Sequence, residues 1–161
     1  MKHLNTIQSS LGKLLLILAF LSTYSFTINS NDTKKGEALF NAVVSKNIKA
    51  VKKMVEKKKA DVNYIRRINS SFYTPLLMQA VMDNSTQIAT YLISKGADVN
   101  STDGFKMTCL MWSANNGNIE LTKLLLENGA DKNAEDANGM TALKAAQSKG
   151  YKEIAKLLNK N

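Results

Sequence analysis

Groups that could do chemistry are present in this chain, but their types and spacing do not assemble a catalytic set. His3 is the one histidine in 161 residues and Cys109 the one cysteine. A lone imidazole offers no metal-ligand spacing, and a lone thiol offers neither a CxxC pair nor an intramolecular disulfide. No GxxxxGK[ST] phosphate loop occurs. Carboxylates are numerous, yet Asp61, Asp98 and Asp131 recur at one position of a turn, and Glu120, Glu127 and Glu153 fall on helix surfaces. A turn aspartate already has a structural task, holding backbone amides two residues on. No enzyme, cofactor or metal is expected.

Recognition is the chemistry that remains, and three groups of side chains could carry it. Lys34, Lys35, Lys46, Lys49, Lys52, Lys53 and Lys57 to Lys59 are opposed only by Glu37 and Glu56. At helical spacing Lys49, Lys52, Lys53 and Glu56 share one face, and Val51, Met54 and Val55 the other. Such a face is either the solvated outside of a terminal helix or a site for an acidic partner, an anionic lipid or a polyanion. The second group is Trp112 alone, a core residue or a contact anchor. The third is a series of aromatic, basic and polar residues between apolar runs: Arg66, Arg67, Phe72 and Tyr73, then Phe105 and Met107, then Asn138 and Met140.

A fixed beat positions these groups. Gly96-Ala97-Asp98-Val99-Asn100 returns thirty-three residues later as Gly129-Ala130-Asp131-Lys132-Asn133. Leu77, Leu110 and Leu143 keep the same step, as do Asn84, Gly117 and Gly150, and Ile88, Leu121 and Ile154. A period in this range is the mark of a solenoid. Gly96 and Gly129 stand where helix-forming runs stop, because glycine accepts positive φ. Thr74-Pro75, Thr108 and Thr141 read as helix starts, by hydroxyl capping and by proline at the first helical position. Apolar residues between them fall at helical spacing, as in Ile88, Tyr91, Leu92 and Leu121, Leu124, Leu125.

The segments 108–114 and 117–126 resemble the two helices of an ankyrin repeat, and Gly-Ala-Asp-Val-Asn resembles the turn that closes it. The resemblance covers nearly everything after residue 34 and implies an all-α solenoid of about four helix-turn-helix repeats with short projecting loops. The repeats are expected near 34–66, 70–101, 105–134 and 138–161, within a domain over 34–161. The first is the weakest: Phe40, Asn47 and Val51 are placed in the register of Leu77, Asn84 and Ile88, thirty-seven residues earlier, so four extra residues lie in the loop between Asn63 and Thr74. Lys59 replaces the closing glycine. Glu56 and Asn159 stand for Leu126 in the first and last repeats, as polar caps should. The usual histidine after the helix start is Met78, Met111 or Lys144 here, so its bonds to neighbouring loops are missing.

The first twenty-five residues differ in kind. Lys2 and Lys13 precede the apolar run Leu14 to Leu21, followed by Ser22-Thr23-Tyr24-Ser25. Eight apolar residues are too few to cross a ~30 Å hydrocarbon core, whereas small residues after a short apolar run fit a cleaved secretory signal. Residues 1–25 are read as that signal and 26–33 as a linker. Cleavage near Phe26 would remove His3, Lys2 and Lys13, leaving 20 basic against 13 acidic residues and a net charge of +7. Haem or small-ligand handling would then have only Met and Tyr as ligands.

The resemblance implies that partners bind the projecting loops and the concave helix face. Residue by residue this selects Arg66, Arg67, Phe72, Tyr73, Phe105, Met107, Asn138 and Met140 on loops, and Met82, Trp112, Asn115 and Asn116 on first helices. The expectation is a monomeric, non-catalytic, exported bacterial protein, periplasmic or secreted. It would act as a scaffold, inhibitor or accessory factor for another protein, and no nucleic acid is expected. The alternative is a basic protein that docks to anionic membrane or cell-wall polymer through its first repeat.

Overall fold

Four repetitions of one punctuation produce four helix pairs among the described residues. The computed structural model describes residues 30–159. The expected signal over 1–25 lies outside them. The chain divides after Ser30, and the unit that begins at Asn31 carries the fold described below. Its pairs are α1 (Ser30–Val44) with α2 (Ile48–Glu56), α3 (Leu76–Met82) with α4 (Thr86–Ser94), α5 (Cys109–Asn115) with α6 (Ile119–Glu127), and α7 (Ala142–Ser148) with α8 (Lys152–Leu158). A two-stranded antiparallel sheet, β1 (Ile65–Arg67) and β2 (Tyr73–Pro75), precedes α3. Residues 30–33, expected in the linker, form the first turn of α1, where Asp32 accepts a hydrogen bond from Lys35 at 3.2 Å.

Stacking buries what a single pair cannot. First helices α3, α5 and α7 pack in sequence, and so do second helices α2, α4, α6 and α8. Leu77, Met78, Leu110 and Met111 are buried in the first layer, Ile88, Leu92, Leu121 and Leu125 in the second. Small residues recur inside the stack: Ala80, Ala114 and Ala146, one in each of α3, α5 and α7, are fully buried. Thr122 is equally buried; its hydroxyl donates to the Asn118 carbonyl at 2.8 Å and lies 3.1 Å from Ser113 Oγ, so it is not left unpaired.

The turns behave as their chemistry demands. Gly96 and Gly129 adopt φ of +89° and +85°. Asp61, Asp98 and Asp131 each accept the amide of the asparagine two residues on, at 2.8–2.9 Å. The asparagines do more than the sequence suggests. Asn63 donates to the Gly96 carbonyl at 3.1 Å and accepts from the Asp98 amide at 2.8 Å. Asn100 repeats both bonds on Gly129 and Asp131. Each therefore ties one closing turn to the next.

Two expectations about helix starts and register need correction. Thr108 and Thr141 cap α5 and α7, accepting from Met111 and Lys144 amides at 3.2 Å. Thr74 does not cap α3; it pairs with Arg66 in the sheet. Pro75 holds the capping position instead, with extended φ −62° and ψ 147° and no side-chain bond. In the first repeat, Lys46 and not Asn47 matches Asn84, both at φ +52°. Asn47 is the helix cap, accepting from Ala50 as Asn118 accepts from Leu121. Leu39 and Ala50, rather than Phe40 and Val51, therefore match Leu77 and Ile88. The reason is one additional residue at the end of α2. The Ala60 amide reaches back to the Met54 carbonyl, six residues, where Ala97 and Ala130 reach back five, to Leu92 and Leu125. Val55 then takes the place of Leu126, and Glu56 that of Glu127, so the polar-cap reading of Glu56 falls. Asn159 is exposed, as a cap position requires.

Candidate functional site

The four-residue insertion before α3 folds as a β-hairpin rather than a loop. Backbone bonds from Leu76 to Tyr64 and from Ile68 to Phe72, with Arg66 opposite Thr74, close it into a regular ladder. At its turn Asn69 Oδ1 accepts the amides of Ser71 and Phe72 at 2.9 and 2.8 Å. Strand alternation sends Tyr64 and Arg66 to one face and Arg67 to the other. Tyr64 lies over Gly36 of α1, where a Cβ would collide with the ring, and its hydroxyl donates to Glu37 at 2.7 Å. Burial and that bond to Glu37 push the Tyr64 phenol up to about 12. Arg66 approaches the same carboxylate at 3.6 Å and stacks 4.9 Å from the Phe40 ring centre. Arg66 thus fastens the hairpin to α1 as well as facing solvent. Arg67 stacks on Tyr73 at 4.9 Å, the cross-strand partner its register dictates.

The next two loops share one construction. Asp103 Oδ1 accepts the amides of Phe105 and Met107, both at 2.9 Å; Asp136 Oδ1 accepts those of Asn138 and Met140, both at 2.8 Å. Neighbouring tips are joined. Phe72 and Phe105 meet edge to face, the Phe105 carbonyl accepts from the Ala137 amide at 3.0 Å, and Gly104 has the Ser71 carbonyl where a side chain would be. Ile68 is 81% exposed, Phe72 51%, Phe105 52% and Met140 37%. Met107 is turned inward against the core.

Asn138 is exposed at the last tip, whereas Asn115 and Asn116 are half-buried on the α5 end. Asn116 donates to the Met82 carbonyl at 3.3 Å, tying one first helix to the next. Met82 and Trp112 both pack partly against the core, and the Trp112 Nε1 is buried without a hydrogen-bond partner among the described residues. The structure therefore groups Phe72, Tyr73, Arg67 and Phe105 closely and leaves Met82, Trp112 and Asn116 on the first-helix layer.

These features repeat with the sequence period, and comparison with known families decides what they are. The sequence model for ankyrin repeats (3 copies) matches residues 7–103 and again 77–161. The chain belongs to the ankyrin-repeat family. A comparison with curated proteins finds no match. Ankyrin repeats are in general protein–protein interaction modules and typically non-catalytic. The Cys109 thiol is fully buried at the start of α5, and burial first, then the charge of Asp98, pushes it up to about 12. A thiol so protonated is not a nucleophile at neutral pH. Among the described residues no cluster of His, Cys, Asp and Glu could hold a metal ion.

The lysine-rich surface of the first ankyrin repeat is partly committed to packing. Lys52 and Lys95 lie 5.6 and 5.5 Å from the centre of the Tyr91 ring, and the Tyr91 hydroxyl donates to Glu56 at 3.1 Å. Lys95 also approaches Glu56 at 3.9 Å. Lys49 and Lys53 remain exposed on α2. The cross-repeat asparagines and joined tips escaped the sequence reading, although Asn63 and Asn100 at one repeat position were a usable signal.

Proposed function

We propose that this ankyrin domain is a non-catalytic binding module for another protein and engages it through the loop tips, with the first-helix face beside them. The observation that supports this most is the run of exposed apolar side chains, Ile68, Phe72, Phe105 and Met140, on successive tips of the stack. Exposed aromatic rings on a rigid support are what interface hot spots use. A scaffold, inhibitor or accessory factor would all work this way. Crosslinking the full chain in its own cells tests the reading: a reproducible protein adduct from tip positions is expected, and adducts confined to lipid or glycan would reverse it.

We further propose that it acts after export, in a periplasm or outside the cell, as a monomer. The support is Lys2, Lys13, the apolar run 14–21 and the small residues at Thr23 and Ser25. Sequencing the N-terminus of protein from an envelope fraction should give a start near Phe26. An intact Met1 chain in the cytosol would rule this out. The alternative, docking to an anionic surface, rests on Lys49, Lys53 and their neighbours. A salt series separates the two, because lysine-driven docking collapses between low and physiological ionic strength while an aromatic-anchored contact weakens modestly.

A further inference from the structure

The domain builds the same loop twice with different side chains, and the difference says what the partner must offer. In both loops an aspartate accepts the amides two and four residues on, from Asp103 and from Asp136. In both, the residue between those amides is left-handed: Lys106 at φ +60° and Gly139 at φ +72°. The later loop uses Asn138-Gly139, residue types that suit a tight turn and accept this conformation readily. The earlier one uses Phe105-Lys106, placing a half-exposed ring at the tip and a long side chain in a conformation that disfavours it. The loop backbone therefore requires neither Phe105 nor Lys106.

The inserted hairpin brings complementary groups to the same place. Phe72 sets its ring against Phe105, centroids 5.6 Å apart at 71°, and exposed Ile68 bonds to Phe72 through the backbone of the hairpin turn, its amide donating to the Phe72 carbonyl at 2.9 Å. Arg67 is held by Tyr73, and neither Arg67 nor Lys106 forms an ion pair among the described residues. Within the 103–107 loop, Asp103 accepts two backbone amides on Oδ1. The joined tips thus present an apolar ridge with the cationic side chains Arg67 and Lys106, and the acid of the 103–107 loop, Asp103, directs Oδ1 at its own backbone.

We propose that the hairpin tip and the 103–107 loop form the primary docking platform, and that its occupant is an acidic, apolar peptide segment of a protein partner. An aliphatic or aromatic side chain of that segment seats on Ile68, Phe72 and Phe105. Carboxylates on either side of it face Arg67 and Lys106, whose charges complement them. The tip before α7, with Asn138 and Gly139, lies at the edge of this contact. The proposal rests on the protein-binding reading above.

The test uses the full chain against a displayed library of random 12-residue peptides, with phosphatidylglycerol vesicles as a second probe. The variant is F105N/K106G, which installs the residues that the sister loop already folds with. The expected result is enrichment of peptides combining Asp or Glu with Leu, Ile or Phe. Their affinity should fall at least tenfold in F105N/K106G and stay unchanged in K49Q/K53Q. Enriched peptides that bind F105N/K106G as well as the parent chain would overturn the platform while leaving protein binding intact. Failure to enrich any peptide, together with vesicle binding lost in K49Q/K53Q, would overturn both.

Discussion

Phe72 and Phe105 come from loops of different repeats and form one edge-to-face pair, their ring centroids 5.6 Å apart. The hairpin that carries Phe72 exists because of the four-residue insertion, and Gly104 lets the two tips close by leaving room for the Ser71 carbonyl. The tips are consequently one surface.

This pairing changes what a tip substitution should do to stability. A loop residue alone contributes little, but an aromatic pair adds about 0.5–1.5 kcal/mol beyond burial. A double-mutant cycle with Phe72→Ala and Phe105→Ala, read by denaturant melts, should give a coupling of that size. Strict additivity would mean that the tips do not meet in solution.

Stack energetics follow burial. Leu125 is fully buried between repeats, so Leu125→Ala should cost ~2–5 kcal/mol. Asn159 is an exposed cap, and Asn159→Ala should stay within about 0.5 kcal/mol. Equal losses in urea melts would show the repeat register to be wrong.

The asparagine ties make a second energetic contrast. Asn100 bridges to Gly129 and Asp131, whereas Asn133 has no following turn to bridge to within the described residues. Asn100→Ala should destabilise by ~1–2 kcal/mol, from two lost hydrogen bonds, and Asn133→Ala by distinctly less. Thermal melts of the two variants decide it.

Alkaline pH should weaken the fold through Cys109. The folded thiol is pushed up to about 12 from an ordinary 9.0, so the unfolded chain loses its proton first as pH rises. The stabilisation is complete below about pH 9 and is lost progressively towards pH 12. Cys109→Ala should flatten that slope in melts between pH 8 and 10.5, relative to the parent chain. The native thiol should also resist a disulfide reagent at pH 7.5 and react once denatured.

Much of this architecture is legible in the chain because it is local and repeated. Helix caps at Thr108 and Thr141, turns at Asp98 and Asp131, and the left-handed stops at Gly96 and Gly129 depend on neighbours within a few residues, so residue type and spacing specify them. The first repeat resisted alignment because its helices and its closing turn are offset by different amounts. One residue added after Met54 is invisible until the Ala60 amide is seen bonding to it.

The sequence by itself determined that this is a stack of helix pairs, where most turns fall, and which loops carry aromatic and basic residues. Tertiary structure alone decided that the enlarged loop is a hairpin fastened to α1 through Tyr64, Arg66 and Glu37, that Thr74 pairs in a sheet instead of capping α3, and that Phe72 reaches Phe105. The physical reason is range. Caps and turns are set by bonds between residues two to six apart, whereas hairpin seating and tip pairing depend on how adjacent repeats rest against each other, and no single repeat encodes that.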